Sequence, residues 1–353
     1  METKSIQKSG KVLIAGPCSA ETQEQVLQTA LAISSKLPNA IFRAGVWKPR
    51  TRPGTFEGVG GLALQWLKKV REQTGLKVIT EVGNAKHVEC CLEAGIDMVW
   101  IGARTTANPF SVQEIAEALR GTGIPVLVKN PVNAELSLWI GALERLELMG
   151  LKDLTAIHRG GHTPEKKAFR NDPNWDLAIE LKLRLPEMPL ICDPSHICGN
   201  KELLPYVAQK AMDLGLDGLM IETHITPALA WSDAAQQVTP EDLIALLNGL
   251  EIRSSTIDTT DSESELVDLR IQIGKADDEL LNILFQRIQI AKEIGQYKKR
   301  NNLSILQLNR WEEVLKLRLG IAQAMGLNLS FVEHMYKLIH SESIRSQSES
   351  MNA

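Results

Sequence analysis

The segment Leu13-Ile14-Ala15-Gly16-Pro17-Cys18-Ser19 is an apolar run that stops at Gly-Pro and is followed at once by a cysteine. Run, breaker and reactive side chain together describe a buried strand that presents a functional group at its C-terminal end. Similar β-branched, apolar runs recur downstream at Ala40–Val46, Lys77–Val82, Met98–Ala103, Pro125–Lys129, Leu154–His158, Leu190–Asp193 and Gly218–Glu222. With Val12–Ala15 they make eight. Helix-like stretches lie between them, among them Glu21–Leu37, Leu62–Gln73, Val112–Leu119, Glu135–Leu148 and Lys201–Leu214. Continuous apolar strands alternating with helices predict a parallel sheet covered on its outer face, and eight repeats predict an α/β fold of the closed (β/α)₈ TIM-barrel type. An open doubly wound sheet is the alternative, but no G-x-G-x-x-G follows an early strand.

Composition changes along the chain. The last proline is Pro240, and only five of the 25 glycines lie beyond it. Glu251 to Glu265 is polar and linker-like. The expected division is therefore a barrel over 1–250, a linker over 251–264 and an all-helical domain over 265–353. Of the 353 residues, 44% are hydrophobic, enough for separate cores, and a net charge of −4 argues against nucleic acid or an anionic membrane as partner. Met1–Lys8 is polar, without the apolar core of a signal peptide, and no stretch is apolar for long enough to span a bilayer. The expectation is a cytoplasmic protein. Its five cysteines lack C-x-x-C spacing, so a functional cysteine is a free thiol or a metal ligand.

In a TIM barrel the active site forms at the C-terminal strand ends. Those ends carry Cys18, Arg43 with Lys48-Pro49-Arg50-Thr51, Glu81, Gly102-Ala103-Arg104, Lys129-Asn130, His158-Arg159-Gly160-Gly161, Asp193-Pro194-Ser195-His196 and Glu222-Thr223-His224, with Asp233 in the loop beyond. Arg43, Lys48, Arg50, Arg104, Lys129 and Arg159 gathered on one rim would repel each other unless anions sit among them. Such a ring fits a small ligand bearing phosphate and carboxylate. Cys18, His196, Glu222 and Asp233 form a second group, with donors suited to a divalent transition metal. His224, Cys192 and Cys198 are rival ligands, while Cys90 and Cys91 fall on a helix and read as core.

The pieces Ala15-Gly-Pro-Cys-Ser19, Arg43-Ala-Gly-Val-Trp-Lys-Pro-Arg-Thr51, Gly102-Ala-Arg104, Leu127-Val-Lys-Asn130, His158-Arg-Gly-Gly161, Asp193-Pro-Ser-His196 and Ile221-Glu-Thr-His224 resemble the 3-deoxy-D-arabino-heptulosonate 7-phosphate (DAHP) synthases of type Iβ. The sister octulosonate enzymes carry an Asn-Arg-Ser-type stretch where this chain has Lys48-Pro-Arg-Thr51, which points to erythrose 4-phosphate as the aldehyde. The resemblance implies metal ligation by Cys18, His196, Glu222 and Asp233, with manganese first and iron, cobalt or zinc as alternatives. It implies phosphoenolpyruvate binding by Arg43, Lys48, Ala103, Arg104, Lys129 and Arg159, and erythrose 4-phosphate binding by Arg50 and Thr51. Glu81 would stand near the reacting carbons, and Lys48, His196 and Glu81 are the candidates for proton transfer.

Beyond the linker, Ser262-Glu-Ser-Glu265 offers a capping box, and apolar residues recur in heptads from Leu266 to about Lys299. A second helix is expected over Leu306–Met325, and a third from Ser330, capped with Glu333, to about Ser348. Arg287 breaks an apolar line and should meet an anion. Leu269-Arg270, Arg287, Lys298, Arg310, Ser343 and Gln347 fall at the spacings of the type II chorismate mutases. That resemblance implies carboxylate binding by Arg270, Arg287 and Arg310, with Lys298 and Gln347 at the ether oxygen of chorismate, and no cofactor. Gln307 and Trp311 depart from it, standing where acidic residues face the substrate hydroxyl in well-known members; Ser304-x-x-Gln307 also reads as a capping box.

Arg270 and Lys298 are 28 residues apart on one helix, about 42 Å at 1.5 Å per residue, too far to touch one small ligand from the same chain. Both can serve one site only if two chains run antiparallel, so a homodimer through the helical domain is expected, with higher oligomers open. Because the barrel pattern starts close to residue 1, leaving no room ahead of it for a regulatory domain, an alternative treats the helical part as an allosteric sensor of chorismate or prephenate.

Overall fold

The computed structural model describes residues 9–49, 54–162, 168–253 and 260–352, so Arg50 and Thr51 lie outside the described residues. Two compact units divide between Ser255 and Thr256.

In the first unit eight parallel strands close into a barrel in sequence order. They are β1 (Val12–Gly16), β2 (Ile41–Arg43), β3 (Val78–Val82), β4 (Met98–Ile101), β5 (Val126–Lys129), β6 (Leu154–His158), β7 (Leu190–Cys192) and β8 (Gly218–Glu222). The apolar runs are continuous because strand residues are buried on both faces. Ile14, Ile79, Trp100, Leu127, Ile157, Ile191 and Met220 fill the barrel interior. The other face packs against the surrounding helices, with Phe42, Val99, Val126 and Leu219 among its buried residues.

Helix starts follow local chemistry. Thr22 caps the helix Gln23–Ser34 by accepting from the Gln25 amide, Asn84 caps Ala85–Ala94 and Asn108 caps Pro109–Leu119. Strand β2 is shorter than its apolar run. After Arg43 the chain leaves the regular ladder: the Val46 amide donates to the Thr80 hydroxyl at 3.3 Å, and the backbone turns to carry Lys48 inward over Cys18, where its Nζ donates to the Cys18 carbonyl at 3.2 Å.

The second unit holds a long helix (Thr260–Arg300), a middle helix (Leu308–Ala324) and a last helix (Leu329–Asn352). The long helix has 41 residues and runs about 60 Å. It starts inside the expected linker, so Ser262 to Glu265 are helical residues and not a cap. The last helix is capped two residues earlier than Ser330 and Glu333 suggest, by Asn328, whose side chain accepts from the Phe331 amide at 3.0 Å. Ser304 donates to the Leu306 carbonyl, and Gln307 makes no side-chain capping bond. The long and last helices approach closely because Gly295 has no side chain: a Cβ there would sit 2.8 Å from the Gln347 carbonyl oxygen. Among the described residues no helix is long and apolar enough to cross a membrane.

At the β1–β8 seam a Cβ on Gly218 would sit 2.2 Å from the Val12 carbonyl oxygen. Gly218→Ala should therefore lower the barrel's stability by about 2 kcal/mol, the usual scale of overpacking. Gly141→Ala, in open space within the helix Leu136–Leu148, should be neutral or stabilising. Urea unfolding followed by tryptophan fluorescence compares the two, and equal midpoints would show that the seam tolerates a methyl group.

Candidate active site

Strand β1 delivers Cys18 to the C-terminal mouth of the barrel through a backbone only glycine allows. Gly16 has φ +145°, and a Cβ there would lie 2.1 Å from the Arg43 carbonyl oxygen. The Cys18 amide donates to Gln237 Oε1 at 2.9 Å, which ties it to the segment after β8. That segment also carries Asp233, at a left-handed φ of 48°. Cys18 Sγ is 3.2 Å from Asp233 Oδ2, and Cys18, Glu222 and Asp233 bring donor atoms within 4.8 Å of one another. Glu222 ends β8 and is held by Arg43 Nη2 at 3.1 Å and by Gln236 Nε2 at 2.6 Å.

His196 follows β7 on the short helix Pro194–Cys198. Asp193 caps that helix through the His196 amide and also holds His196 Nδ1 at 2.8 Å. The ring's Nε2 is thereby left 3.8 Å from Glu222 Oε1. Three of the four expected metal ligands thus converge, and the fourth presents its free nitrogen to one of them. The rivals are elsewhere: His224 Nδ1 accepts from the Thr226 amide, and Cys192 and Cys198 are buried in the outer core with Cys91.

Burial pushes the Cys18 thiol up to about 12, with Glu222 and Asp233 adding to the effect and Lys48, whose Nζ is 2.9 Å from the sulfur, opposing it. Burial also raises the Glu222 carboxyl, but His196, Arg43 and Lys48 outweigh it and hold the group below the usual carboxylate range. Asp233 is likewise held low, burial being overcome by Arg170 and Lys48. Two ionised carboxylates, a thiol that needs a further cation to ionise and an imidazole nitrogen make a donor set that fits a divalent transition metal.

A cavity of about 700 Å³ opens beside this cluster, lined by Lys48, Glu81, Ala103, Arg104, Lys129, Arg159, His196 and Asp233 among others. Its cations are anchored. Lys129 Nζ is 2.6 Å from Asp193 Oδ2 with both groups buried. Asn130 Oδ1 accepts from the Arg159 amide at 2.7 Å and its Nδ2 donates to the Gly160 carbonyl, fixing the loop after β6. Glu81 accepts from Trp100 Nε1 at 3.1 Å. Arg43 is 1% exposed and does not line the cavity; its guanidinium is 4.9 Å from the centre of the Trp100 ring and serves Glu222.

In the helical unit, Arg287 Nη1 donates to the Ser343 hydroxyl at 2.5 Å and forms no ion pair among the described residues. Lys298 is buried and donates to the Ile305 carbonyl at 2.6 Å, and Gln347 packs its backbone on Gly295, one turn before Lys298. Arg310 instead pairs at the surface with Glu313 at 3.1 Å, and Arg270 is exposed.

Family comparison gives two matches: residues 4–258 to the DAHP synthetase I family and residues 269–348 to chorismate mutase type II. The chain belongs to the DAHP synthetase I family. It is 30% identical over 226 residues to the phospho-2-dehydro-3-deoxyheptonate aldolase of Thermotoga maritima, a match spanning 64% of this chain and 64% of that protein, less than two thirds of its length. It is 26% identical over 262 residues to the 2-dehydro-3-deoxyphosphooctonate aldolase of Bordetella petrii, covering 67% of this chain and 88% of that protein. The crystal structure of DAHP synthase from Thermotoga maritima superimposes with a TM-score of 0.60 at 26% identity, over 69% of this chain and 72% of that one. A truncated form of the same enzyme gives 0.59 at 25% identity, over 69% and 90%.

Within this family frame, the residues missed from the sequence are those that hold the expected ligands in place. Arg170 Nη1 donates to Asp233 Oδ1 at 3.0 Å and to Gln236 Oε1 at 2.8 Å, and Gln236 in turn holds Glu222. The signal available was an arginine in the loop after β6, at the same rim as the other cations. Trp47 stacks on His87 with ring centroids 3.9 Å apart, bracing the chain that carries Lys48.

His158 at the end of β6 is fully buried and donates from Nε2 to the Pro173 carbonyl at 2.6 Å. Burial lowers its pKa from 6.5 to about 4. Between these values the unfolded chain binds the proton and the folded one does not, so barrel stability falls as pH drops through this window, by up to about 3 kcal/mol from this residue. His158→Gln should flatten the slope of urea midpoint against pH over that range. Parallel slopes for the two proteins would exclude His158 as the source.

Proposed function

We propose that the barrel joins phosphoenolpyruvate to erythrose 4-phosphate, giving DAHP and phosphate, and that the helical unit rearranges chorismate to prephenate. The observation that carries the first reaction is the convergence of Cys18, Glu222 and Asp233 beside a cationic cavity in a barrel of this family. We assign Cys18, His196, Glu222 and Asp233 to a divalent ion, manganese first, with iron, cobalt or zinc as alternatives. When bound, that ion supplies Lewis acidity toward the aldehyde oxygen.

The chain's own groups do the rest. Lys48, Ala103, Arg104, Lys129 and Arg159 take the phosphate and carboxylate of phosphoenolpyruvate, and the pairing of Lys129 with Asp193 keeps its ammonium fixed before the ligand arrives. Arg43 contributes by holding Glu222. Arg50 and Thr51 take the aldehyde's phosphate, and Lys48-Pro49-Arg50-Thr51 favours erythrose 4-phosphate over arabinose 5-phosphate. C3 of phosphoenolpyruvate attacks the aldehyde carbon, C2 gains positive character, water adds there and phosphate leaves. Lys48, His196 and Glu81 are the candidates for the proton transfers. Lys48 in particular has its ammonium against the Cys18 sulfur, beside the place where the aldehyde oxygen becomes an alkoxide. Free cysteines suit a reducing cytoplasm.

For the mutase, the match of residues 269–348 supports catalysis over a purely sensory role. Arg287, Lys298, Ser343 and Gln347 bind one molecule of chorismate, with Arg310 turning in from its surface pair. Arg270 comes from the partner in an antiparallel dimer. The rearrangement needs only a fixed compact conformer and cations near the ether oxygen.

Two experiments test these readings. Cys18→Ser should lower metal content and reduce phosphoenolpyruvate consumption with erythrose 4-phosphate by about 100-fold or more, leaving chorismate turnover intact. Undiminished synthase activity after exhaustive chelation, or equal rates with arabinose 5-phosphate, would contradict the assignment. Arg270→Ala and Lys298→Ala, each inactive as a mutase, should on mixing and subunit exchange recover about a quarter of wild-type turnover, since half the dimers are mixed and each has one intact site. No recovery despite exchange would contradict a site built from Arg270 of one chain and Lys298 of the other.

A further inference from the structure

Two buried polar atoms near Arg287 and Lys298 have no hydrogen-bond partner among the described residues: Nε2 of His340 and Oε1 of Gln347. A buried polar group left unpaired costs about 1–3 kcal/mol, so a ligand that pairs these atoms gains by doing so. His340 lies on the last helix one turn before Ser343, the residue that accepts from Arg287. Its ring is stacked flat on Trp311, with centroids 4.0 Å apart and planes inclined by 16°. The imidazole's orientation is therefore set by packing before any ligand binds.

The charge state of the ring narrows the ligand group. Burial, with Arg287 and Lys298 close by, lowers the His340 pKa below its ordinary value, so the ring is neutral at pH 7. A carboxylate in this cluster is better matched to the two cations. A hydroxyl suits a neutral imidazole in either tautomer, because it can both donate and accept. Gln347 Oε1, which only accepts, likewise calls for a donor such as a hydroxyl or water.

We propose that His340, braced by Trp311, recognises the ring hydroxyl of the dicarboxylate bound in the helical unit. This rests on the mutase reading above and names a contact within that site. It also gives Trp311 a use: the indole cannot bond the hydroxyl itself from its ring face, but it holds the side chain that does.

The test uses the full-length protein with chorismate and an analogue lacking the ring hydroxyl, both measured by calorimetric binding, with turnover of chorismate alongside. The wild type should bind chorismate about tenfold or more tightly than the deoxy analogue, the scale of one well-formed hydrogen bond. His340→Phe keeps a ring to stack on Trp311 and should bind the two ligands equally, with the loss confined to chorismate. His340→Gln, which retains a polar group, should recover part of the discrimination, and it stands in if the phenylalanine variant does not fold. Undiminished discrimination in a folded variant, or none in the wild type, would overturn the contact while leaving the mutase reading in place. A wild type that neither binds nor converts chorismate would overturn the mutase reading itself, and the contact with it.

Discussion

Strand β1 hydrogen-bonds to β8 in a register running from Val12↔Gly218 to Gly16↔Glu222, and everything at the mouth of the barrel depends on that seam. Register is a discrete variable: a slip of one residue would turn each side chain of β8 to the opposite face. In the observed register Glu222 pairs with Gly16, two residues before Cys18, although more than 200 positions separate them in the chain. Gly218 makes the approach to Val12 possible, and on the other side of β1 Gly16 does the same for Arg43 of β2. A second tie lies just beyond the strands, where Gln237 accepts from the Cys18 amide and Ser232 meets Ser19 at 2.5 Å between hydroxyl oxygens. These contacts flank Asp233, so the thiol and its carboxylate neighbour are positioned by the same closure.

The seam gathers carboxylates that would be costly to bury alone. Breaking a buried ion pair by removing one member costs about 3–5 kcal/mol, because the survivor is left charged without a partner. Here Glu222 is matched by Arg43, and Asp193 by Lys129. Asp193 also accepts from the His196 amide and faces its Nδ1, so one carboxylate orients both a cavity cation and a metal-ligand candidate. The arrangement sorts the cations by depth. Arg43 is committed to Glu222 below the cavity, while Arg104, Lys129 and Arg159 reach its wall. A cavity so lined attracts anions without needing to rearrange when they arrive.

The barrel was legible because strands buried on both faces produce uninterrupted apolar runs, and because a closed parallel barrel puts its chemistry at one set of strand ends. Cys18, Glu81, Arg104, Lys129, Arg159, His196 and Glu222 all followed from that rule. Strand β2 was read too long because Ala44 to Val46 are apolar for a different reason: they line the turn that brings Lys48 back over Cys18. Arg170, Gln236 and Gln237 were missed because their partners lie 63, 14 and 219 positions away. Nothing in a local window distinguishes such residues from solvated loop residues. Helix ends in the second unit shifted for a smaller reason. Asn328 and Ser330 are both competent caps two residues apart, and the choice falls to the turn that precedes them.

The long helix poses a physical problem that a single chain does not solve. Leu269, Ile273, Leu280 and Ile283 are all exposed along it, in the heptad lines visible in the sequence. An isolated helix gains little from propensity alone and needs its apolar face covered. The last helix covers the C-terminal part, around Ala291, Gly295 and Lys298, where the cations and the unpaired His340 and Gln347 atoms are found. The N-terminal part carries Arg270 and remains bare. A second copy running antiparallel, as proposed above, would answer both needs with one contact. It would lay the bare apolar lines of each chain on the other and carry each Arg270 toward the far end of its partner's helix, where Lys298 stands. The same length that forbids Arg270 and Lys298 from sharing a ligand within one chain would make them neighbours between two.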